Sequence, residues 1–237
     1  MPHFLINSQN IIEGSITLKE PDLLAHIVGA LRIKAGETIK LIDENKIVHL
    51  CKIEEVSKKC VVASVLSEEE SKRFLPFKIT LVQGVLKPDA QTLAVANATQ
   101  MGVSDFLPVV MDNSALNLAC VSSKQEKWQK IADEAFKQCE RADLMNVLSP
   151  VSNLEKALEG AKNVVVFAER EANISLGMPK GDIIVVIGPE GGFSEREFEF
   201  FKRQNYSLVS IGNLILKAPN AIVAGLAQIT YERGKDA

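Results

Sequence analysis

The chain has 237 residues, 46% hydrophobic and 24% charged, with 14 glycines, 9 prolines and a formal charge of -3. That composition excludes a disordered, repeat or collagen-like chain, and the slight acidity excludes a protein that coats nucleic acid through a general excess of Lys and Arg. A chain of this length can bury a sizeable core, and two modest domains are expected.

The N-terminal stretch MPHFLINSQN lacks a basic region followed by a long apolar core, and no apolar run approaches a bilayer span. A cytoplasmic protein with no membrane partner is expected. Cys51, Cys60, Cys120 and Cys139 are scattered without a CxxC pair, and only His3, His26 and His49 are available to help them. No metal site is expected, and four reduced thiols are the simplest reading.

In chain order, DLLAHIVGALR places Leu23, Leu24, Ile27, Val28 and Leu31 at helical spacing after Pro21. From Gly36 to Leu66 the pattern becomes strand-like: ETIKLID, a DEN turn, KIVHLCKIEEV, an SKK turn and CVVASVL. This reads as a small antiparallel sheet or barrel with the short helix plugging one end. SEEESKRFLP, residues 67–76, is a charged stretch closed by a proline, and the boundary is placed there, giving domains 1–72 and 73–237.

Beyond it strands and helices alternate. KITLVQGV is followed by a helix from about Pro88 to Met101, then DFLPVV, then a long helix across Lys124 to Arg141. NVVVFAE, DIIVVIG and SLVSIG are nearly continuous apolar runs, as expected of parallel strands buried on both faces. The fold class of the C-terminal part is therefore α/β with a mostly parallel sheet.

Two turns in that part invite a ligand. In IGPEGGFSERE, Ser194 and Glu197 form a capping box, so a helix begins just after Phe193. The turn before it carries Gly188, Gly191 and Gly192, leaving three positions of bare backbone at the carboxyl end of a strand. The spacing matches neither GxGxxG nor a P-loop, so a plain turn and a ligand loop both remain open. In SIGNLILKAPNA, Gly212 ends a strand, an apolar LIL follows, and Pro219 suits a first helical turn. The two loops can form floor and wall of a pocket for an adenosine-like ligand, or LIL can merely cover a sheet edge.

GPEGGFS (188–194), IGN-LIL-K (211–217), ATQMGV (98–103) after Lys87, HIVGALR (26–32) and KQCER (137–141) together resemble the signature set of the RsmE family across essentially the whole chain. These are SPOUT-class methyltransferases that modify uridine N3 in small-subunit (16S) ribosomal RNA. The resemblance implies an N-terminal PUA-like β-barrel for RNA binding and a C-terminal domain tied in a deep trefoil knot, which binds S-adenosyl-L-methionine and forms a homodimer. It also implies cofactor contacts from Phe167, Ala168 and Glu169, from Ile187, Gly188, Pro189, Glu190, Gly191 and Gly192, and from Ile211, Gly212, Asn213, Leu214 and Leu216. The RNA substrate, in an assembled subunit, would meet Arg32, Lys72, Arg73 and Arg141.

Two segments depart from the family pattern. Where relatives usually read Leu-Arg-x-Glu-Thr-Ala this chain has LKAPNA, residues 216–221; where they tend to Lys-Ala-Thr-Glu-Leu-Gly it has NATQMG, with Asn97 and Gln100. A Lys–Glu pairing replaced by one between Asn97 and Gln100 is the simplest expectation. Lys217 keeps a cation but loses the planar fork of arginine.

Methylating uridine N3 requires the loss of its proton, by a base or with the help of a cation that stabilises the anion. Lys217 is the candidate for the cation. Glu190 is the candidate base, with hydrogen bonding to the loop backbone as its structural alternative. Two other functions stay open: a homologue that binds RNA and S-adenosylmethionine with weakened turnover, and a nucleotide-dependent oxidoreductase, against which the missing GxGxxG counts.

Overall fold

The computed structural model describes residues 3–168 and 179–234. It divides into two compact units, one running to Phe74 and including Lys137–Asp143, the other comprising Leu75–Phe136 and the chain from Leu144 onward.

In the first unit, β1 (His3–Leu5), β2 (Ile11–Ile12), β3 (Ser15–Leu18), β4 (Thr38–Ile42), β5 (Ile47–Val56) and β6 (Val61–Glu70) form one sheet in the order β1-β4-β5-β6-β3-β2. Only the β1–β4 pairing is parallel. Alternation places Phe4, Ile16, Leu18, Ile39, Leu41, Ile53 and Val61 in a single core. Register shifts leave Leu66 of β6 and Glu54 of β5 as extra residues, so both strands bend around that core. The helix α1 (Pro21–Leu24), continued by a π-helical turn over Ala25–Ala30, adds Leu24 and Ile27 to the same cluster. Burial pushes the Cys51 thiol up to about 11, as befits an unreactive core side chain.

The N-terminal strands β1 to β3 had no signal strong enough to be read from sequence, because each is four residues or shorter. The charged run after Leu66 is also strand rather than linker. Ser67, Glu68, Glu69 and Glu70 pair with Leu50, His49, Val48 and Ile47. Their side chains are exposed, so their charge costs little desolvation. Glu68 meets the buried His49 ring at 2.9 Å, and Asp43 lies 3.2 Å from its other nitrogen.

In the second unit, β7 (Ile79–Gly84), β8 (Asp105–Val109), β9 (Asn146–Val147), β10 (Val164–Phe167), β11 (Ile183–Ile187) and β12 (Ser207–Val209) make a wholly parallel sheet in the order β12-β10-β11-β7-β8-β9. Both faces are buried. Leu81, Val165, Phe167 and Val185 face one cluster with α2 (Pro88–Gln100), α4 (Gln125–Cys139) and α7 (Ala218–Gly234). Val82, Val164, Val166 and Val186 face another that includes Leu154 of α5 (Leu154–Ala157) and Phe200 and Phe201 of α6 (Glu195–Arg203). A short helix α3 (Leu118–Val121) precedes α4. The long helix ends at Cys139, before Arg141, because Glu140 takes a left-handed φ of 55°.

This strand order has a functional consequence. From β7 the chain builds outward to β8 and β9, then crosses back so that β10, β11 and β12 extend the sheet on the other side of β7. Successive connections diverge at that reversal, and the carboxyl ends there frame the crevice that ligands use in open α/β sheets.

Candidate active site

The register aligns Phe167 with Ile187 and with Val209, and Ile187 with Gln83, so the loops after β10, β11, β12 and β7 leave the sheet side by side. Phe167, Ala168, Ile187 to Gly192 and Ile211 to Leu216 are thereby brought to one edge. Ala168 is anchored by its N–H to the Val209 carbonyl at 2.9 Å. Glu169 lies outside the described residues.

The three glycines of the β11–α6 loop differ in what a side chain would meet. Gly192 has φ +69°, a left-handed conformation that side chains rarely adopt. A Cβ on Gly191 would lie 2.8 Å from the Asn113 side chain, and one on Gly188 3.3 Å from the Phe193 ring. Bare backbone at 191 is therefore already required by the protein's own packing, and at 188 it keeps the Phe193 ring from being crowded, which sequence spacing could not distinguish from room for a ligand.

The underside of the loop is clamped. Asn113 donates to the carbonyls of Gly191 and Gly192, each at 3.2 Å. The Glu190 carboxylate accepts from the Lys87 backbone N–H at 3.0 Å, which ties the loop to the start of α2. Glu197, 1% exposed, completes the capping box with Ser194 and also accepts from the Asp112 N–H at 3.0 Å. Burial pushes its carboxyl up, against the two backbone donors that favour the ionised form.

Arg196 grips Asp112 through Nε and Nη2, at 3.0 and 2.7 Å, and also reaches Glu155. Ser194 donates to Asp112 at 2.5 Å. The Arg196 guanidinium first, and then Ser194, hold the Asp112 carboxyl below its ordinary range. Its stabilising contribution is thus present above the ordinary aspartate pKa and is lost as pH falls through the depressed folded value. Ser194→Ala should lower stability by about 1 kcal/mol, measured by urea unfolding at neutral pH; an unchanged midpoint would remove the cap from the account. Asp112, Asn113 and Arg196 were missed from sequence. The Asp-Asn-Ser turn at the end of DFLPVVM was the available signal, since it follows a parallel strand.

On the β12 side, Ser210 donates to the Gly212 carbonyl at 2.8 Å. Leu214 and Ile215 are 80% and 69% exposed, whereas Ile211 and Leu216 pack on the core beneath. Lys217 is exposed, and its carbonyl accepts from Asn220 and Ala221 at 2.8 and 2.9 Å, starting α7 with Pro219 in its first turn. The expected Asn97–Gln100 pairing is not what forms. The Asn97 amide donates across 122 residues to the Pro219 carbonyl at 3.0 Å, so one residue from each departing segment meets the other. Helix geometry explains this: Gln100 lies on the exposed side of α2, and Asn97 on the flank toward α7.

Of the four candidate RNA contacts, Arg32, Lys72 and Arg73 are exposed in the first unit. Arg73 reaches Glu140 at 3.3 Å, and Lys46 stands 3.5 Å over the Phe74 ring. Arg141 is different: it is 6% exposed, with Nε and Nη2 on Asp143 at 3.1 and 3.0 Å, the geometry of an internal brace.

Comparison with known proteins agrees with this architecture. A family described as an RNA methyltransferase domain matches residues 73–230, and an RNA methyltransferase PUA domain matches residues 19–66. The fold and site thus define an RNA methyltransferase carrying a PUA domain before its α/β domain. The ribosomal RNA small subunit methyltransferase E of Aquifex aeolicus is 31% identical over 197 residues, 81% of this chain and 85% of that protein. Its Bacillus subtilis counterpart is 29% identical over 87% of this chain and 86% of its own length. The crystal structure of the Neisseria gonorrhoeae enzyme of that name, bound to S-adenosyl methionine, shares the fold with a TM-score of 0.86 over 98% of both chains at 24% identity. The chain belongs to the ribosomal RNA small subunit methyltransferase E family. The oxidoreductase alternative falls with that assignment. Among the described residues, no helix is long and apolar enough to cross a membrane.

Proposed function

We propose that the chain methylates uridine N3 in small-subunit ribosomal RNA with S-adenosylmethionine. The observation that carries the reading is the convergence of two loops, Ile187–Gly192 and Ile211–Lys217, at the carboxyl ends of β11 and β12, the strands that flank β10 in the parallel sheet, with Lys217 at the start of α7. The residues present fit such a cofactor. Backbone N–H and C=O groups from three neighbouring strand ends supply polar points, and the exposed Leu214 and Ile215 supply apolar surface for a purine.

When bound, the cofactor supplies an electrophilic methyl group for in-line displacement. The chain's own task is alignment and charge control. Lys217 stands where its ammonium and the N-terminal end of the α7 dipole both stabilise a uracil that has lost its N3 proton to solvent. Glu190 anchors the glycine loop through the Lys87 amide, the structural alternative to service as base. Arg32, Lys72 and Arg73 contact RNA phosphates, while Arg141 braces the fold through Asp143.

The same reading includes a trefoil knot, an assembled small subunit as substrate, a cytoplasmic location and a homodimer. Insertion of β11 between β10 and β7, with α7 packed on α2, supports the threading. Exposed apolar residues on the two helices, Leu93 and Val223, support association through that face. Mass spectrometry of ribosomal RNA from cells lacking this chain should show one uridine without its N3 methyl group, restored by the purified protein and S-adenosylmethionine. Unchanged methylation in the deleted cells sinks the proposal. Cofactor binding without methyl transfer would favour the weakened homologue.

A further inference from the structure

We propose that Asn97 is a positioning residue for Lys217, holding the first turn of α7 where the ammonium can act; this rests on the reading of Lys217 given above. Leu216 and Ala218 seat the turn on the core, but the exposed tip of the loop before them adds little to the holding. Leu214 and Ile215 are largely in solvent, so they contribute little packing to fix the backbone that follows them. Lys217 is instead locked to α7, because its carbonyl accepts the N–H groups of both Asn220 and Ala221. Whatever orients that turn orients Lys217.

Pro219 has no N–H to contribute, and its carbonyl receives the Asn97 Nδ2 at 3.0 Å. Among the described residues this is the one side-chain hydrogen bond reaching the turn from elsewhere in the chain. The donor is itself well placed. Its neighbours on α2, Ala94 and Ala98, are fully buried, so the helix cannot roll without disturbing the core.

The opposite end of α2 is tied to the other loop. The Lys87 N–H holds Glu190, and Gln91 accepts from the Leu86 N–H at 2.9 Å, fixing the turn into the helix. From Lys87 to Asn97 the helix rises about 15 Å. It acts as a rigid strut that sets the spacing of the glycine loop and the Lys217 turn through one hydrogen bond at each end.

The test uses the full-length protein, S-adenosylmethionine and small ribosomal subunits from cells lacking the modification, in single-turnover methyl transfer. Asn97→Leu removes the donor at similar volume and should lower the rate about tenfold, with cofactor affinity by calorimetry within about twofold. Asn97→Gln, which keeps an amide donor, should recover part of the loss. In a Lys217→Ala background Asn97→Leu should cause no further loss, since the two residues act as a unit. Hydrogen exchange at the Asn220 and Ala221 amides should quicken in Asn97→Leu. A full rate for Asn97→Leu while Lys217→Ala is impaired, an equal loss in both backgrounds, or unchanged exchange would overturn the inference alone. A full rate for Lys217→Ala would overturn the role of Lys217 itself and the positioning role with it.

Discussion

Lys217→Ala is expected to lower the methyl-transfer rate constant by about 10²–10³-fold, the loss seen when a donor aimed at developing negative charge is removed. Affinity for S-adenosylmethionine should stay within about twofold. The asymmetry follows from where charge appears. A uracil with its N3 proton in place is neutral and gains little from a nearby ammonium, whereas the imide anion gains a great deal. The interaction is therefore felt in the rate and hardly in ground-state binding. Lys217→Arg should retain part of the rate, because the charge is kept while its geometry changes from a point to a fork. Cofactor calorimetry paired with single-turnover kinetics separates the possibilities. A weakened affinity with an unchanged rate would place Lys217 in cofactor binding.

Gly84→Ala should damage the site from beneath. Gly84 ends β7, and an added Cβ would lie 2.5 Å from both the nitrogen and Cδ of Pro189 and 2.9 Å from the Met111 sulfur. Neither a proline ring fused to the backbone nor a methionine only 3% exposed can yield cheaply. The glycine loop must move instead. We expect a stability loss of about 1–3 kcal/mol, measured by urea unfolding, together with at least tenfold weaker cofactor binding. Gly29→Ala is the control: nothing lies within 4 Å of its added Cβ and its φ is not left-handed. It should leave cofactor binding unchanged. Equal affinity in Gly84→Ala and the parent protein would show that the loop adapts without consequence.

Local and periodic features are legible in the sequence alone. Ser194 and Glu197 form the capping box that their three-residue spacing announces, and α6 starts at Glu195. The valine-rich runs became the central parallel strands, since only burial on both faces tolerates such continuity. Exposure defeated the same logic at Ser67–Glu70, where a charged run continues β6 because its side chains face solvent and need no apolar partner.

The site divides along the same line. Its two loops were visible because glycine, proline and a helix cap punctuate the chain at fixed offsets, and those signals act over a few residues. The contacts that set the loops in place were not visible, because they join residues far apart in sequence: Glu190 with Lys87, Asn113 with Gly191, and Arg196 with both Asp112 and Glu155. Arg141 makes the same point in reverse. Its type suggested a phosphate contact, and packing buried it against Asp143.

By itself, then, the sequence determined the alternation of strands and helices, the start of each loop and the residue types offered to a ligand, because periodicity and caps are local. Only the tertiary structure decided that Gly191 serves internal packing, that Glu190 holds a backbone amide, and that Asn97 reaches Pro219 rather than Gln100. Each of those outcomes depends on which surfaces the parallel register brings within hydrogen-bond distance, a property of the assembled sheet and its helices and of no single segment.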